Sequence, residues 1–281
     1  MPAYLSHKAT LFQNTTTVKT LITKYFVIFI VAFGIFSGCK NTRNRNEEEG
    51  PGLIVYCENG ILAPVREFSS AFEKNTGIKV SIQNDCARNL SNLIYYRHEA
   101  DVFIPDCRLT IDNMQMANPE LFEDSVSFGY QTLVFIVPGG NPDRFTGNFQ
   151  MLKTTNPAII LANPETSTLG MAIEILLQTH LVYNEVMSSV LSLTTDSRGL
   201  IRSIASGQSQ IAIDWESDYI ATRSEAFKID TVHISSKAIH FQTLAVVLSN
   251  APNKQNAMKF IYSIDSRSAK KIFRKYGIVE L

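Results

Sequence analysis

Leu53-Ile-Val-Tyr56, Ile78-Lys-Val-Ser-Ile82 and Asp101-Val-Phe-Ile-Pro105 are three short apolar runs of β-formers within one stretch, Leu53 to Cys107. Between the first two, Ile61, Leu62, Val65, Phe68 and Phe72 recur at helical spacing, and Gly77 stops the helix just after Asn75. Between the second and third, Leu90, Leu93 and Ile94 mark another helix. The stretch therefore reads as two consecutive β-α-β turns with parallel strands. The strands end at Cys57-Glu58-Asn59-Gly60, Asn84-Asp85-Cys86 and Asp106-Cys107. In an open α/β sheet, ligands sit outside the carboxyl ends of the strands, where helix N-termini offer free N–H groups. Three strand ends, each with a cysteine, are thus expected to face one crevice.

Toward the N-terminus, Tyr25 to Phe36 is an apolar run, too short for a comfortable membrane span, with Lys19 and Lys24 before it. It ends in Phe36-Ser-Gly-Cys39. Residues 1–39 resemble a bacterial lipoprotein signal peptide, which implies lipidation at Cys39; a plain signal peptide or an anchor helix is the alternative. Residues 40–52 are polar and charged without apolar periodicity, and read as a flexible tether. The expected location is extracytoplasmic, with a lipid anchor to a membrane. Lys8, Lys19 and Lys24 are the only charged residues before Cys39, so of 26 basic and 26 acidic residues the rest of the chain keeps every acid and three fewer bases. Its net charge of −3, with no basic stripe interleaved with aromatics, gives no footprint for nucleic acid.

Toward the C-terminus, a short helix is expected from Leu109 to Met116, ended by Asn118-Pro119. Tyr130 to Val137 is an apolar strand closed by Pro138-Gly-Gly-Asn-Pro142, a loop signal where the chain can leave one lobe for another. A fresh α/β pattern follows. Ala158 to Ala162 is a strand, and Leu169, Ala172, Ile173, Leu176 and Leu177 line a helix. Thr194-Thr-Asp-Ser197 caps another helix, and Gln210 to Asp214 is a strand with Trp215 to Asp218 opening the next helix. His240 to Leu248 returns as strand, before two helices with Gly277 as the final stop. The fold class is α/β with two lobes, residues 53–129 with 237–281 and residues 130–236, each a mainly parallel sheet flanked by helices and joined by two crossover strands.

Several residues admit a chemical and a plain reading. With Cys39 set aside, Cys57, Cys86 and Cys107 allow one disulfide plus a buried thiol, or a thiol-carboxylate metal site with Asp106, Asp85 and Glu58. Neither is strengthened by a C-x-x-C spacing. Arg88 and Arg198 stand in first turns of helices, as surface residues or as carboxylate or oxyanion clamps. Trp215, the single tryptophan, either packs in the core or lines the cleft. His98 reads as a helix-terminal histidine rather than a ligand. Catalysis would need a thiol with a positioned base, and no local signature supplies one. A phosphate-binding Gly-rich loop, H-E-x-x-H and G-x-S-x-G are all missing, so neither an enzyme nor a cofactor is expected.

Phe72-Glu-Lys-Asn-Thr-Gly-Ile-Lys-Val80, Ala100 to Pro105, Asn163-Pro-Glu165 to Gly170, Asp196-Ser-Arg-Gly199 and Lys271 to Gly277 occur in an order that resembles the periplasmic molybdate/tungstate-binding proteins of ABC importers. The resemblance spans nearly the whole chain after the tether. It implies a type II periplasmic-binding-protein-like fold that closes over a small oxyanion held by backbone N–H groups and hydroxyls. Carried over position by position, it places the ligand site at Asn59, Gly60, Cys86, Ala87, Arg88, Thr168, Leu169, Ser197 and Trp215. Gly60 and Cys86-Ala-Arg88 stand where that family has serines, and Trp215 where it has a tyrosine. The implied partners are the oxyanion and an ABC permease in the membrane, with the protein a monomer. The alternatives are a binder of metal or a metal complex through cleft thiols and carboxylates, and a sensory lipoprotein that reuses the fold.

Overall fold

The computed structural model describes residues 52–223, 228–234 and 239–280. The expected signal peptide, Cys39 and almost all of the tether lie outside the described residues. The chain runs through β1 (Leu53–Glu58), a 3-10 turn (Asn59–Ile61) leading into α1 (Leu62–Thr76), β2 (Val80–Asp85), α2 (Ala87–Arg97), β3 (Val102–Ile104), α3 (Arg108–Ala117) and β4 (Phe122–Gln131). It continues through β5 (Leu133–Pro138), α4 (Phe149–Thr155), β6 (Ile159–Ala162), α5 (Thr168–Thr179), α6 (Tyr183–Ser189), β7 (Val190–Thr194), α7 (Ser197–Ala205), β8 (Ile211–Trp215), α8 (Glu216–Thr222) and β9 (Ile229–Val232). It closes with β10 (Phe241–Leu248), α9 (Lys254–Ser263) and α10 (Arg267–Lys275). No helix among the described residues is long and apolar enough to cross a membrane.

Two five-stranded sheets form, in the orders β2-β1-β3-β10-β4 and β7-β6-β8-β5-β9. In each, two pairings are parallel and two antiparallel, so the sheets are mixed rather than mainly parallel. The topologies correspond strand for strand although the sequence shows no repeat. The chain leaves the first sheet at Thr132, between β4 and β5, and returns between β9 and β10. The single strand expected from Tyr130 to Val137 is thus two. Tyr130 and Gln131 still pair with β10, and Leu133 already pairs with Trp215 of β8.

Burial explains why the strands read as they do. In β1, Leu53, Val55 and Cys57 face a core built with α1, α9 and α10, while Tyr56 faces a second core built with α2 and α3. Both faces are covered, so the strand is an apolar run instead of an alternating one. The first core is aromatic: Phe260 of α9 lies edge-on to Phe68 and Phe72 of α1, with ring centroids 5.0 Å apart in both pairs. Gly77 ends α1 with φ +75°, a left-handed position that returns its N–H to the Glu73 carbonyl. The β4 strand is absent from the sequence reading because it is an edge with Glu123, Ser125 and Ser127 exposed: Phe-Glu-Asp-Ser-Val-Ser carries no apolar run.

Candidate functional site

The parallel strands β1, β2 and β3 do end side by side. What they bring together differs from the sequence expectation. Glu58, the last residue of β1, is 2 % exposed and turns its carboxylate into the junction of the lobes. One carboxylate oxygen, Oε1, accepts from the Ala87 N–H at 3.2 Å and the Thr168 N–H at 2.9 Å. The other, Oε2, accepts from the Asp106 N–H at 3.0 Å and from the Thr168 hydroxyl. Ala87 and Thr168 are the first residues of α2 and α5, so two helix N-termini, one from each lobe, converge on this carboxylate. The Thr168 hydroxyl gives its proton to Glu58 and so accepts from its other neighbour, the buried Thr110 hydroxyl.

Around this pair the lobes are stitched together. The indole N–H of Trp215 donates to Asp106 Oδ2 at 2.9 Å, and the Ser217 hydroxyl lies within bonding distance of the Gly60 carbonyl at 3.1 Å and Gln131 Oε1 at 2.9 Å. The Arg88 N–H donates to the Thr166 carbonyl at 3.1 Å. Trp215 is fully buried, and it explains Gly60. A Cβ on residue 60 would lie 2.5 Å from Trp215 Cδ1 and 2.7 Å from Asp106 Oδ2. A side chain at residue 60 would therefore collide with the tryptophan that ends β8.

The junction is rich in carboxyl groups. Asp106 and Asp214 are held well above the usual carboxylate range, first by burial and then by the charges of their acidic neighbours. Burial likewise pushes Asp218 up to about 7, against the pull of the Ser197 hydroxyl and Arg198. For Glu58 burial also raises the pKa, and its hydrogen bonds to Thr168, Asp106 and Ala87 work in the opposite direction. Asp214 accepts from the Ser197 hydroxyl and from the Trp215 backbone N–H, whereas Asp106 Oδ1 is buried without a hydrogen-bond partner among the described residues.

Of the residues expected at the site, Asn59, Gly60, Cys86, Leu169 and Ser197 border a cavity of only about 10 Å³ beside Glu58. Ala87 and Thr168 contribute N–H groups, Trp215 bonds Asp106, and Arg88 turns outward to within 3.7 Å of Glu165. The cysteines part company. All three are free, so the disulfide expectation is corrected: strand alternation sends Cys57 into the α1-side core, while Cys107 packs in the core of the second lobe. Burial raises the pKa of all three thiols, most strongly for Cys57 and Cys107, away from the thiolate that would bind a metal or attack a substrate. Among the described residues no three histidine, cysteine or acidic side chains come together as metal ligands, and Cys57 and Cys107 pack in different cores.

A larger cavity of about 720 Å³ adjoins the junction, between α1 and the end of β2 on one lobe and α7 and α8 on the other. Arg66, Arg198 and Arg202 border it. Among the described residues none of these three guanidinium groups has a carboxylate within ion-pair distance. Two of its acids are engaged elsewhere: Asp85 accepts from the Cys86 N–H and Asn89, and Asp196 caps α7 through the Gly199 N–H. Sequence reasoning passed over Arg66 and Arg202, because an exposed arginine on an amphipathic helix carries no local signal. It passed over Asp214 because an acid at a strand end looks solvated until its neighbours are known.

Known proteins place this architecture. Among curated proteins, none matches the sequence. Structural similarity is broad, and three examples suffice. The Azotobacter vinelandii periplasmic molybdate-binding protein is 18% identical, with 82% of this chain and 99% of that one covered and a TM-score of 0.67. Peb3 from Campylobacter jejuni is 15% identical, with 82% and 100% covered and a TM-score of 0.66. The sulfate-binding protein SubI from Mycobacterium tuberculosis is 14% identical, with 81% and 86% covered and a TM-score of 0.69. At these identities the likeness establishes the two-lobed fold. The family model for bacterial extracellular solute-binding proteins matches residues 53–279, nearly everything after the expected tether. The chain belongs to that family, whose members bind a small solute outside the cytoplasm for an ABC permease and are not enzymes.

Proposed function

We propose that the solute is a small organic anion, bearing carboxylate or phosphate groups, bound in the outer cleft between the lobes. We propose further that Cys39 carries a lipid anchor that keeps the receptor beside its permease. The observation that carries the first part is the set of three guanidinium groups, Arg66, Arg198 and Arg202, that border one interlobe cavity of about 720 Å³ and, among the described residues, have no carboxylate within ion-pair distance. That volume lies in the range of small-molecule sites, and planar guanidinium forks match carboxylate and phosphate oxygens. Arg66 stands on one lobe and Arg198 and Arg202 on the other, so a bridging anion favours the closed arrangement that a membrane partner can read. A free tetrahedral oxyanion such as molybdate or tungstate is the second reading, favoured by the N–H groups of Ala87, Asp106 and Thr168. The cavity of about 10 Å³ there leaves no room for it with Glu58 in place.

Thermal unfolding with a panel of dicarboxylates and phosphorylated three-carbon acids, beside molybdate, tungstate and sulfate, tests this. A ligand at a hundredfold excess over its Kd adds roughly 2.7 kcal/mol, a Tm rise of about 5–10 °C for a chain of this size. An organic anion is expected to give that rise, and Arg198→Ala with Arg202→Ala to abolish it. Stabilisation by inorganic oxyanions alone, indifferent to both substitutions, sinks the outer-cleft reading.

A further inference from the structure

We infer that Glu58 is a specificity-determining residue: its carboxylate occupies the buried anion pocket as an intramolecular ligand, joins the lobes in the absence of solute, and excludes free inorganic oxyanions. The inference concerns the buried pocket and does not depend on which solute enters the outer cleft.

Three observations carry it. The first is the donor set. Three backbone N–H groups and one hydroxyl reach the two oxygens of Glu58, and no cation is among them. Backbone dipoles at helix N-termini recognise an anion in this way whether it is a solute or a side chain. The second is connectivity. Ala87 and Asp106 belong to the lobe that carries Glu58, and Thr168 belongs to the other, so the carboxylate spans the interface as a bound anion would. The third is space and charge. The remaining cavity of about 10 Å³ holds at most one water, and Asp106, Asp196 and Asp218 line it. An incoming dianion has to expel Glu58 and then replace one negative charge with two beside those acids.

A pocket blocked for most of the time binds with an apparent affinity lowered by its free fraction. If Glu58 is seated in about 99 of 100 molecules, tungstate binding is weakened about a hundredfold. The full-length protein in detergent is titrated calorimetrically with tungstate, as wild type, Glu58→Ala and Glu58→Gln. Amide hydrogen exchange of the peptides around Ala87, Asp106 and Thr168 is followed in parallel. Wild type is expected to ignore tungstate and to protect these amides without solute. Glu58→Ala, which vacates the pocket and removes one charge, is expected to bind tungstate about a hundredfold more tightly than wild type. Glu58→Ala should lose the protection at Ala87 and Thr168, and tungstate should restore it; Glu58→Gln keeps an acceptor oxygen for those two amides and should lose protection at Asp106, which bonds the other oxygen. Wild type binding tungstate as tightly as Glu58→Ala overturns the inference, as does a folded Glu58→Ala that gains no tungstate binding. If Glu58→Ala does not fold, Glu58→Gln decides through exchange at Asp106, whose N–H then faces an amide nitrogen: unchanged protection of that amide overturns the inference. The outer-cleft reading is scored separately, by the response to organic anions of Arg198→Ala.

Discussion

At the scale of single residues, the site turns on two positions whose neighbours in sequence say nothing about them. Gly60 lies in a 3-10 turn, where a glycine ordinarily costs stability relative to alanine. Here the sign reverses, because Trp215 Cδ1 and Asp106 Oδ2 occupy the space a Cβ would take. Gly60→Ala is expected to lower the urea midpoint of unfolding by the equivalent of about 1–3 kcal/mol, the usual penalty for overpacking. A neutral or stabilising Gly60→Ala would mean that Trp215 does not sit against this turn. Glu58 is the second position. As a glutamate closing a strand beside a cysteine it reads as one carboxylate of a thiol-carboxylate site, and only the arrival of Thr168 from the other lobe makes it a buried, fully bonded acceptor.

At the scale of elements, most of the fold was legible. The helical spacing of Ile61, Leu62, Val65, Phe68 and Phe72 and the stop at Gly77 match α1, and Asp196 caps α7 through the Gly199 N–H. Such signals are local: periodicity follows from which face is buried, and caps from the free N–H groups of a first turn. The elements that escaped, β4, β7, β9, α4 and α6, are short or at sheet edges, and their residues meet solvent on one side. The helices α9 and α10 were legible for the opposite reason, since Ala257, Phe260 and Ile261 and then Ala269 and Phe273 bury one continuous stripe. Phe260 is the keystone of that contact, fully buried between Phe68 and Phe72. Phe260→Ala is expected to cost about 3–5 kcal/mol, read as a fall in the urea midpoint with little change in slope. A loss below about 1 kcal/mol, the size of a surface change, would show that α9 docks weakly.

At the scale of the whole molecule, the lobe junction concentrates carboxyl groups, which gives the fold a pH dependence opposite to that of proteins held by salt bridges. The folded pKa of Asp218, about 7, lies above its ordinary value near 3.8. Its contribution to stability is therefore complete below about pH 4 and is lost as the pH rises through about 7. Asp106 and Asp214 act in the same direction, Asp196 adds repulsion, and Arg198 opposes it. Asp218→Asn is expected to flatten the decline in stability between pH 4 and 8 and to stabilise the protein at pH 8, measured by urea unfolding across that range. An unchanged pH profile would place Asp218 in solvent. The sequence by itself determined what local physics determines: the α/β order, most strands and helices of the cores, and a crevice at the strand ends; the chain changes lobe at Thr132 and not at the Pro138-Gly-Gly-Asn-Pro142 loop that carries the turn signal. Tertiary structure alone decided what fills that crevice. Glu58 meets Thr168, 110 residues away, and Asp106 meets Trp215, 109 residues away. The worth of a carboxylate, whether a solvated charge or a ligand in an anion pocket, is set by such donors and by burial, which no local pattern encodes.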